Sequence, residues 1–395
     1  MTTVFFNSDG DITVTHPAPI SGKDAITTGS RPHLITAIST QSAHFINRDF
    51  YDYFSRHKKY YQSIDIAGNL IINGPGSGSF LSDDIFTRSS GVFQWPPTEF
   101  SKRWSKNIYR AIEYIRENAH GTALWTRHKE RPPEGISDDT ISTITDLPKD
   151  WLLREFLIGE TEFFKYSTHQ HTQINLVGWG RGGVSCHMFA NAMKTDDLLR
   201  GIPVNILAID PVVGPLSYEP IQTTLPDSVS EYVGFYARDE RSASLPCIVP
   251  DTAQNTRVHI YPIAGRHTTL IGNQAKDGDS SPGTFSEPSN LVFYLAMKCL
   301  NRWDPDLSIK AASGYPDLSM TGDSVLAKIK GEYDDYIAMR NTTYSNQRQE
   351  IKNDREIWLN GQLTNFKSAQ GDRFTPNQGL AKGHIEDMSY FQDIT

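Results

Sequence analysis

Between residues 172 and 300 the chain repeats one pattern. A short apolar, β-rich run closes on glycine, aspartate or histidine, and a helix-like or polar segment follows. Residues 172–177 run into Gly178-Trp179-Gly180-Arg181-Gly182-Gly183, after which 184–193 take on helical character. Residues 204–209 stop at Asp210-Pro211, 231–237 stop at Arg238-Asp239-Glu240-Arg241, and 257–260 lead to Gly265-Arg266-His267-Thr268-Thr269. Residues 288–300 read as a helix against that edge. Strands this continuously apolar are buried on both faces, which requires a mostly parallel sheet with helices covering each side. The fold class expected is therefore α/β.

The remaining segments extend this plan. Thr3-Val4-Phe5-Phe6 reads as a strand, and 69–72 as another that enters the Gly-rich run Asn73-Gly74-Pro75-Gly76-Ser77-Gly78-Ser79. Trp104, Ile108, Ile112 and Ile115 have the spacing of one helix face within 104–118. A polar stretch with Pro132-Pro133 predicts a surface excursion over about 120–148, and 150–168 is expected to be helical. After Arg302 the chain turns polar and charged, with helix-like pieces at 323–340 and 345–358. The expected organisation is a core over 1–301 and a mostly helical C-terminal extension or lid over 302–395, its tail partly flexible.

Composition excludes several classes. With 38% hydrophobic residues in 395, the chain can bury a core without covalent staples. Acidic residues outnumber basic ones by 46 to 38, which argues against a nucleic-acid binder. Three scattered cysteines without a CxxC motif predict neither a disulfide framework nor a cysteine zinc site. His169 and His171 lack an obvious third ligand, so no metal and no cofactor are expected. Residues 1–14 lack the basic-then-apolar order of a Sec signal, and no run approaches about 18 apolar residues. A soluble product made in the cytoplasm is expected, with export through other signals left open.

In an open parallel sheet, ligands sit at the carboxyl ends of the strands. The unusual residues all fall there: the 74–79 loop, 178–183, Asp210, Asp239 and His267. Gly178-Trp179-Gly180-Arg181-Gly182 has the form of the strand-to-helix turn G-x-S-x-G that exposes a nucleophilic serine, with Gly180 in the serine position. A nucleotide-binding loop is the rival reading, but the glycine spacing is not G-x-G-x-x-G and the motif lies mid-chain. His267 is the candidate general base. Asp210 is the candidate acid, with Asp239 as its rival; a loop cap and an ion pair with Arg238 or Arg241 are the respective structural alternatives. The backbone N–H of Arg181, with Gly76 and Ser77, could receive an oxyanion.

Taken in order, these motifs resemble the α/β-hydrolase family that includes type VI secretion lipase effectors and related uncharacterised proteins. Its G-F-S-R-G-A elbow is matched by residues 178–183, its D-T-V by Asp210-Pro211-Val212, and its A-L-D-E-R-R by residues 237–242. Its G-V-H-S-D-V-G-G is similar to residues 265–272, its G-V-G-T loop to Gly74-Pro75-Gly76-Ser77, and its F-D-G-T faintly to residues 5–10. The resemblance covers roughly 1–275. It implies a serine at 180, Asp210 as acid and His267 as base. It also implies hydrolysis of carboxylic esters, phospholipid or other lipid acyl chains foremost, contact with a membrane surface, and export as an effector.

Glycine at 180 has no hydroxyl to attack a carbonyl. Ser185 and Cys186 lie more than a helical turn further on and cannot replace it. The chain as written is therefore expected to be inactive, either as a serine-to-glycine replacement or as a natural pseudo-hydrolase. A non-enzymatic effector that binds lipid or a host protein through the degenerate pocket is the alternative. Oligomeric state is left open.

Overall fold

Successive residues of the central strands enter opposite apolar layers. Val204, Ile206 and Ala208 join one buried cluster, and Leu207 and Ile209 join the other. Val4 and Phe6 are likewise divided from Phe5, and Tyr232 and Tyr236 from Val233 and Phe235. Each such aliphatic side chain contributes roughly 2 kcal/mol on burial, so both layers stabilise the sheet.

The computed structural model describes residues 2–6, 34, 61–64, 70–72, 104, 108, 112, 115, 123–126, 153–158, 161–165, 171–213, 218–243, 245–277, 283–305, 322–342, 355–365 and 387–395. Its strands are β1 (Thr2–Phe6), β2 (Tyr61–Ile64), β3 (Leu70–Ile72), β4 (Ala123–Thr126), β5 (Leu153–Ile158), β6 (Thr161–Lys165), β7 (Ile174–Trp179), β8 (Val204–Ile209), β9 (Val229–Ala237), β10 (Cys247–Ile248), β11 (Arg257–Ile263), β12 (Glu356–Leu359) and β13 (Gln362–Asn365). Its helices are α1 (Arg181–Thr195), α2 (Pro220–Thr223), α3 (Glu287–Trp303), α4 (Gly322–Gly331) and α5 (Tyr333–Asn341).

The main sheet has six strands in the order β11-β9-β8-β7-β1-β3, all parallel. The fold is α/β, as the apolar runs predict. Side chains of α1 and of the helical positions Trp104, Ile108, Ile112 and Ile115 fill one layer. Those of α3, α4 and α5 fill the other. From β1 the chain passes to β3 on one side, and from β7 onward it builds outward on the other. The switch point thus lies between β1 and β7, where such sheets form a crevice beyond their carboxyl ends.

At the opposite end of the sheet, Asn175, Asn205 and Glu231 stand side by side in register on β7, β8 and β9. The buried Glu231 carboxylate receives Arg302, Arg257 and the Trp303 indole N–H. Pairing is what allows a charge at this depth.

Two helix expectations are corrected. Within 150–168, β5 and β6 form an antiparallel pair with Ile158 opposite Thr161. Only Gly159-Glu160 separate them, a connection too short for anything but a hairpin. They join β2 and β4 in a separate four-stranded sheet, and β4 lies inside the expected surface excursion. Within 345–358, the described part begins β12 instead of continuing a helix. β12 turns at Asn360-Gly361, both at positive φ, into β13, and pairs on its other side in parallel with β10. Asn-Gly favours this reversal because both residues tolerate φ above zero. The C-terminal segment thus contributes the helices α4 and α5 and a strand pair. Among the described residues no helix is long and apolar enough to cross a membrane.

Candidate active site

β7 delivers the chain to Gly180, which stands at φ 57 and ψ −122 and begins α1. This backbone conformation is sparsely populated by residues with a side chain and costs them of order 1–3 kcal/mol. The neighbouring glycines serve packing. A Cβ on Gly178 would lie 2.3 Å from the Gly182 carbonyl carbon, and one on Gly183 would lie 3.1 Å from the Pro211 Cβ. Strand and helix therefore meet closely around a sharp bend at residue 180. The Gly180 N–H donates to Ile209 O at 2.9 Å, and its carbonyl accepts from Val212 N at 3.2 Å and from Val184 N at 3.3 Å. Arg181 is the first residue of α1, so its amide belongs to the electropositive first turn.

Asp210 follows β8 directly with φ 46, an unusual value for a residue with a side chain. It is fully buried and saturated with donors. Oδ1 accepts from Ala237 N at 2.9 Å and from Arg355 Nη1 at 2.5 Å. Oδ2 accepts from Arg355 Nη2 at 2.8 Å and from His267 Nδ1 at 2.6 Å. Burial alone would push this carboxyl up. The Arg355 guanidinium and the His267 ring outweigh it and hold the group well below the usual carboxylate range.

His267 follows β11 and is nearly buried. A carboxylate can only accept, so Nδ1 carries the proton it shares with Asp210 and the neutral ring presents Nε2 as acceptor. Three further contacts fix the residue. Its ring stacks on Trp179 with centroids 4.4 Å apart, its carbonyl accepts from the Trp179 indole at 3.2 Å, and its N–H donates to Glu240 Oε2 at 3.0 Å. Trp179 immediately precedes Gly180, so the imidazole lies beside the bend.

The two candidate acids separate. Asp210 reaches the imidazole. Asp239 is buried and accepts from the Gly265 N–H at 2.7 Å, with Arg238 3.4 Å away. Burial raises the Asp239 carboxyl, and Arg238 opposes that rise. Asp239 thus shapes the loop that carries His267. Ser185 and Cys186 are engaged in the α1 backbone: Ser185 Oγ donates to Arg181 O at 3.0 Å and Cys186 Sγ to Gly182 O at 3.3 Å. Burial also raises the Cys186 thiol. Gly76 and Ser77 lie outside the described residues. His171 is buried.

Arg355, Glu240 and Trp179 are the site residues that motif reasoning does not single out. Trp179 and Glu240 sit inside the quoted motifs, as the residue before the bend and the one after Asp239. Arg355 has no motif around it; the only local signal is the Asn360-Gly361 turn, which marks the strand it precedes.

No family model and no curated protein matches this chain. Among solved structures, a crystal structure of an uncharacterised protein from Pseudomonas aeruginosa is similar at 12% identity and a TM-score of 0.43, over 87% of this chain and 51% of that one. The structure of the Tle1 effector bound to the VgrG spike from the Type 6 secretion system is similar at 12% identity and a TM-score of 0.28, over 69% of this chain and 51% of that one. The chain spans about half the length of either. Likenesses this slight say nothing of chemistry.

Proposed function

We propose that this chain is built as a serine-type ester hydrolase whose nucleophile position is filled by glycine. The observation that carries the reading is the Asp210–His267 pair, hydrogen-bonded at 2.6 Å and stacked on the residue that precedes Gly180 at φ 57 and ψ −122. An exposed hydroxyl at the bend, an imidazole beside it and a carboxylate behind the imidazole are the components of acyl transfer.

With serine at 180, Oγ attacks the ester carbonyl as His267 Nε2 takes its proton. Asp210 holds the ring and stabilises the imidazolium. First-turn amides of α1, the Arg181 N–H among them, receive the oxyanion. The imidazolium then protonates the leaving alcohol, and a water deprotonated by His267 releases the acid from the acyl-enzyme. No cofactor or metal enters these steps. Lipid acyl esters as substrates, a peripheral membrane-surface contact and export as an effector rest on the motif resemblance. As written, the chain binds ester without turning it over, since loss of a triad nucleophile costs on the order of a millionfold.

The test is Gly180→Ser assayed on short-chain esters and on phospholipid vesicles. Hydrolysis that appears with serine and disappears with His267→Ala supports the reading; a folded Gly180→Ser protein with no esterase activity sinks it. Glycine at 180 itself favours one alternative, a pocket that only binds. In that case the parent chain associates with a lipid or host protein, and Gly180→Ser adds no turnover.

A further inference from the structure

Arg355 comes from the C-terminal segment, 145 residues after Asp210 in sequence, and is buried. Each of its five N–H donors has an acceptor. Nη1 reaches Asp210 Oδ1 at 2.5 Å and Ala237 O at 3.0 Å; Nη2 reaches Asp210 Oδ2 at 2.8 Å and Leu245 O at 2.9 Å; Nε reaches Leu245 O at 3.2 Å. The fork fixes the plane of the carboxylate as well as its charge. Oδ2 is shared: it accepts from the guanidinium and from His267 Nδ1. Any change in one bond is therefore felt by the other.

We propose that Arg355 is a positioning residue of the Asp210–His267 pair: it sets which oxygen Asp210 presents to the imidazole, and it shares that oxygen's charge with Nδ1. This rests on the hydrolase reading for its meaning but not for its measurement.

Among the described residues, few other charges surround the pair. From β8 comes Asp210. From the turn after β9 come Glu240, whose carboxylate receives the His267 N–H, and the Arg238–Asp239 pair, which holds Gly265. Beside Asp210, the Cys247 thiol is pushed up to about 12 by burial, and Tyr236 is raised by burial too, so both are neutral. From β7 comes the uncharged Trp179 ring. Arg266, next to His267, directs its guanidinium to the carbonyls of Asp277, Met339 and Thr342, the last two at the end of α5. Among the described residues, Arg355 is thus the arginine or lysine in direct contact with Asp210. An arginine there draws negative charge from the Oδ2 that His267 Nδ1 also uses. A merely structural arginine would neutralise Asp210 without sharing the oxygen that His267 uses.

The experiment is an NMR titration of the unsubstituted chain, labelled with carbon-13 and nitrogen-15, followed by the same titration of Arg355→Met and Arg355→Lys. It needs no turnover, so its outcome is independent of whether Gly180→Ser hydrolyses esters. In the unsubstituted chain the Arg355 Nε signal is expected to move with the same midpoint as the His267 ring signals; its indifference to that titration overturns the proposal. In Arg355→Met the His267 midpoint is expected to rise by about one pH unit, because a cation has left the shared carboxylate; an unmoved midpoint overturns it. Should the Met variant fail to fold, Arg355→Lys decides. It keeps the charge and loses the fork, so the midpoint stays near the parent's while the downfield Nδ1 proton signal weakens; an unaltered proton signal overturns the positioning role.

Discussion

The Trp179 indole and the His267 imidazole lie 27° from coplanar with centroids 4.4 Å apart, and the indole N–H donates to the His267 carbonyl at 3.2 Å. One residue thus leads into the bend at 180 and clamps the loop that holds His267. Trp179→Phe keeps a ring to stack and loses the hydrogen bond, so it is expected to cost about 1 kcal/mol in urea unfolding. Trp179→Ala also loses the stacked pair and is expected to cost about 1 kcal/mol more. Equal midpoints for the two variants would show that the stack contributes nothing.

Gly178 and Gly180 predict losses of different size and cause. Gly178→Ala places a Cβ 2.3 Å from backbone atoms of Gly182, which cannot swing aside as a side chain would. The expected loss is about 3 kcal/mol or more. Gly180→Ser carries the backbone penalty of φ 57, of order 1–3 kcal/mol. Thermal melts of both variants check the order; a Gly178→Ala protein as stable as the parent would contradict the close strand–helix approach.

Asp210 ties stability to pH. Its folded carboxyl is held below the unfolded value near 4, so its stabilisation is fully present above that pH and is lost progressively as pH falls below it. Asp210→Asn leaves the Arg355 guanidinium buried without its counter-charge, which is expected to cost about 3–5 kcal/mol at pH 7. The gap between parent and variant should narrow below pH 4. Denaturant titrations at pH 7 and pH 3 measure it, and a gap that widens in acid reverses the sign.

His187 predicts a second, separate window. It is fully buried on α1 with Nδ1 2.7 Å from the Gln222 carbonyl. Burial pulls its pKa from 6.5 down to about 4, against the opposing Gln222 bond. A base with a lowered folded value is stabilised as the neutral ring above its unfolded value. That stability drains away as pH falls from 6.5 towards 4, by about 3 kcal/mol in all. His187→Asn, whose amide N–H can take over the bond to Gln222, should flatten stability between those values. A parent protein equally stable at pH 7 and pH 4.5 would remove His187 from this role.

How much of this was legible in the chain differs from element to element. The parallel sheet was, because strands buried on both faces read as apolar runs, as at 204–209, and because each run ends in a residue type that strands avoid. The hairpins at 153–165 and 356–365 are not legible in this way. In the first, Phe156, Phe163 and Phe164 also satisfy a helical face. In the second, charged residues around Arg355 mask the strand, although Asn360-Gly361 signals the turn.

The sequence by itself determined the order of the pieces: a bend at 178–183, carboxylates at 210 and 239, an imidazole at 267. Spacing along the chain reports such order because each strand places its last residue at the same edge of a parallel sheet. Only the tertiary structure decided that Asp210 rather than Asp239 meets His267, and that Arg355 closes on Asp210 from behind. Those partners are chosen by which buried donors and acceptors would otherwise go unpaired, and that depends on packing between segments far apart in sequence.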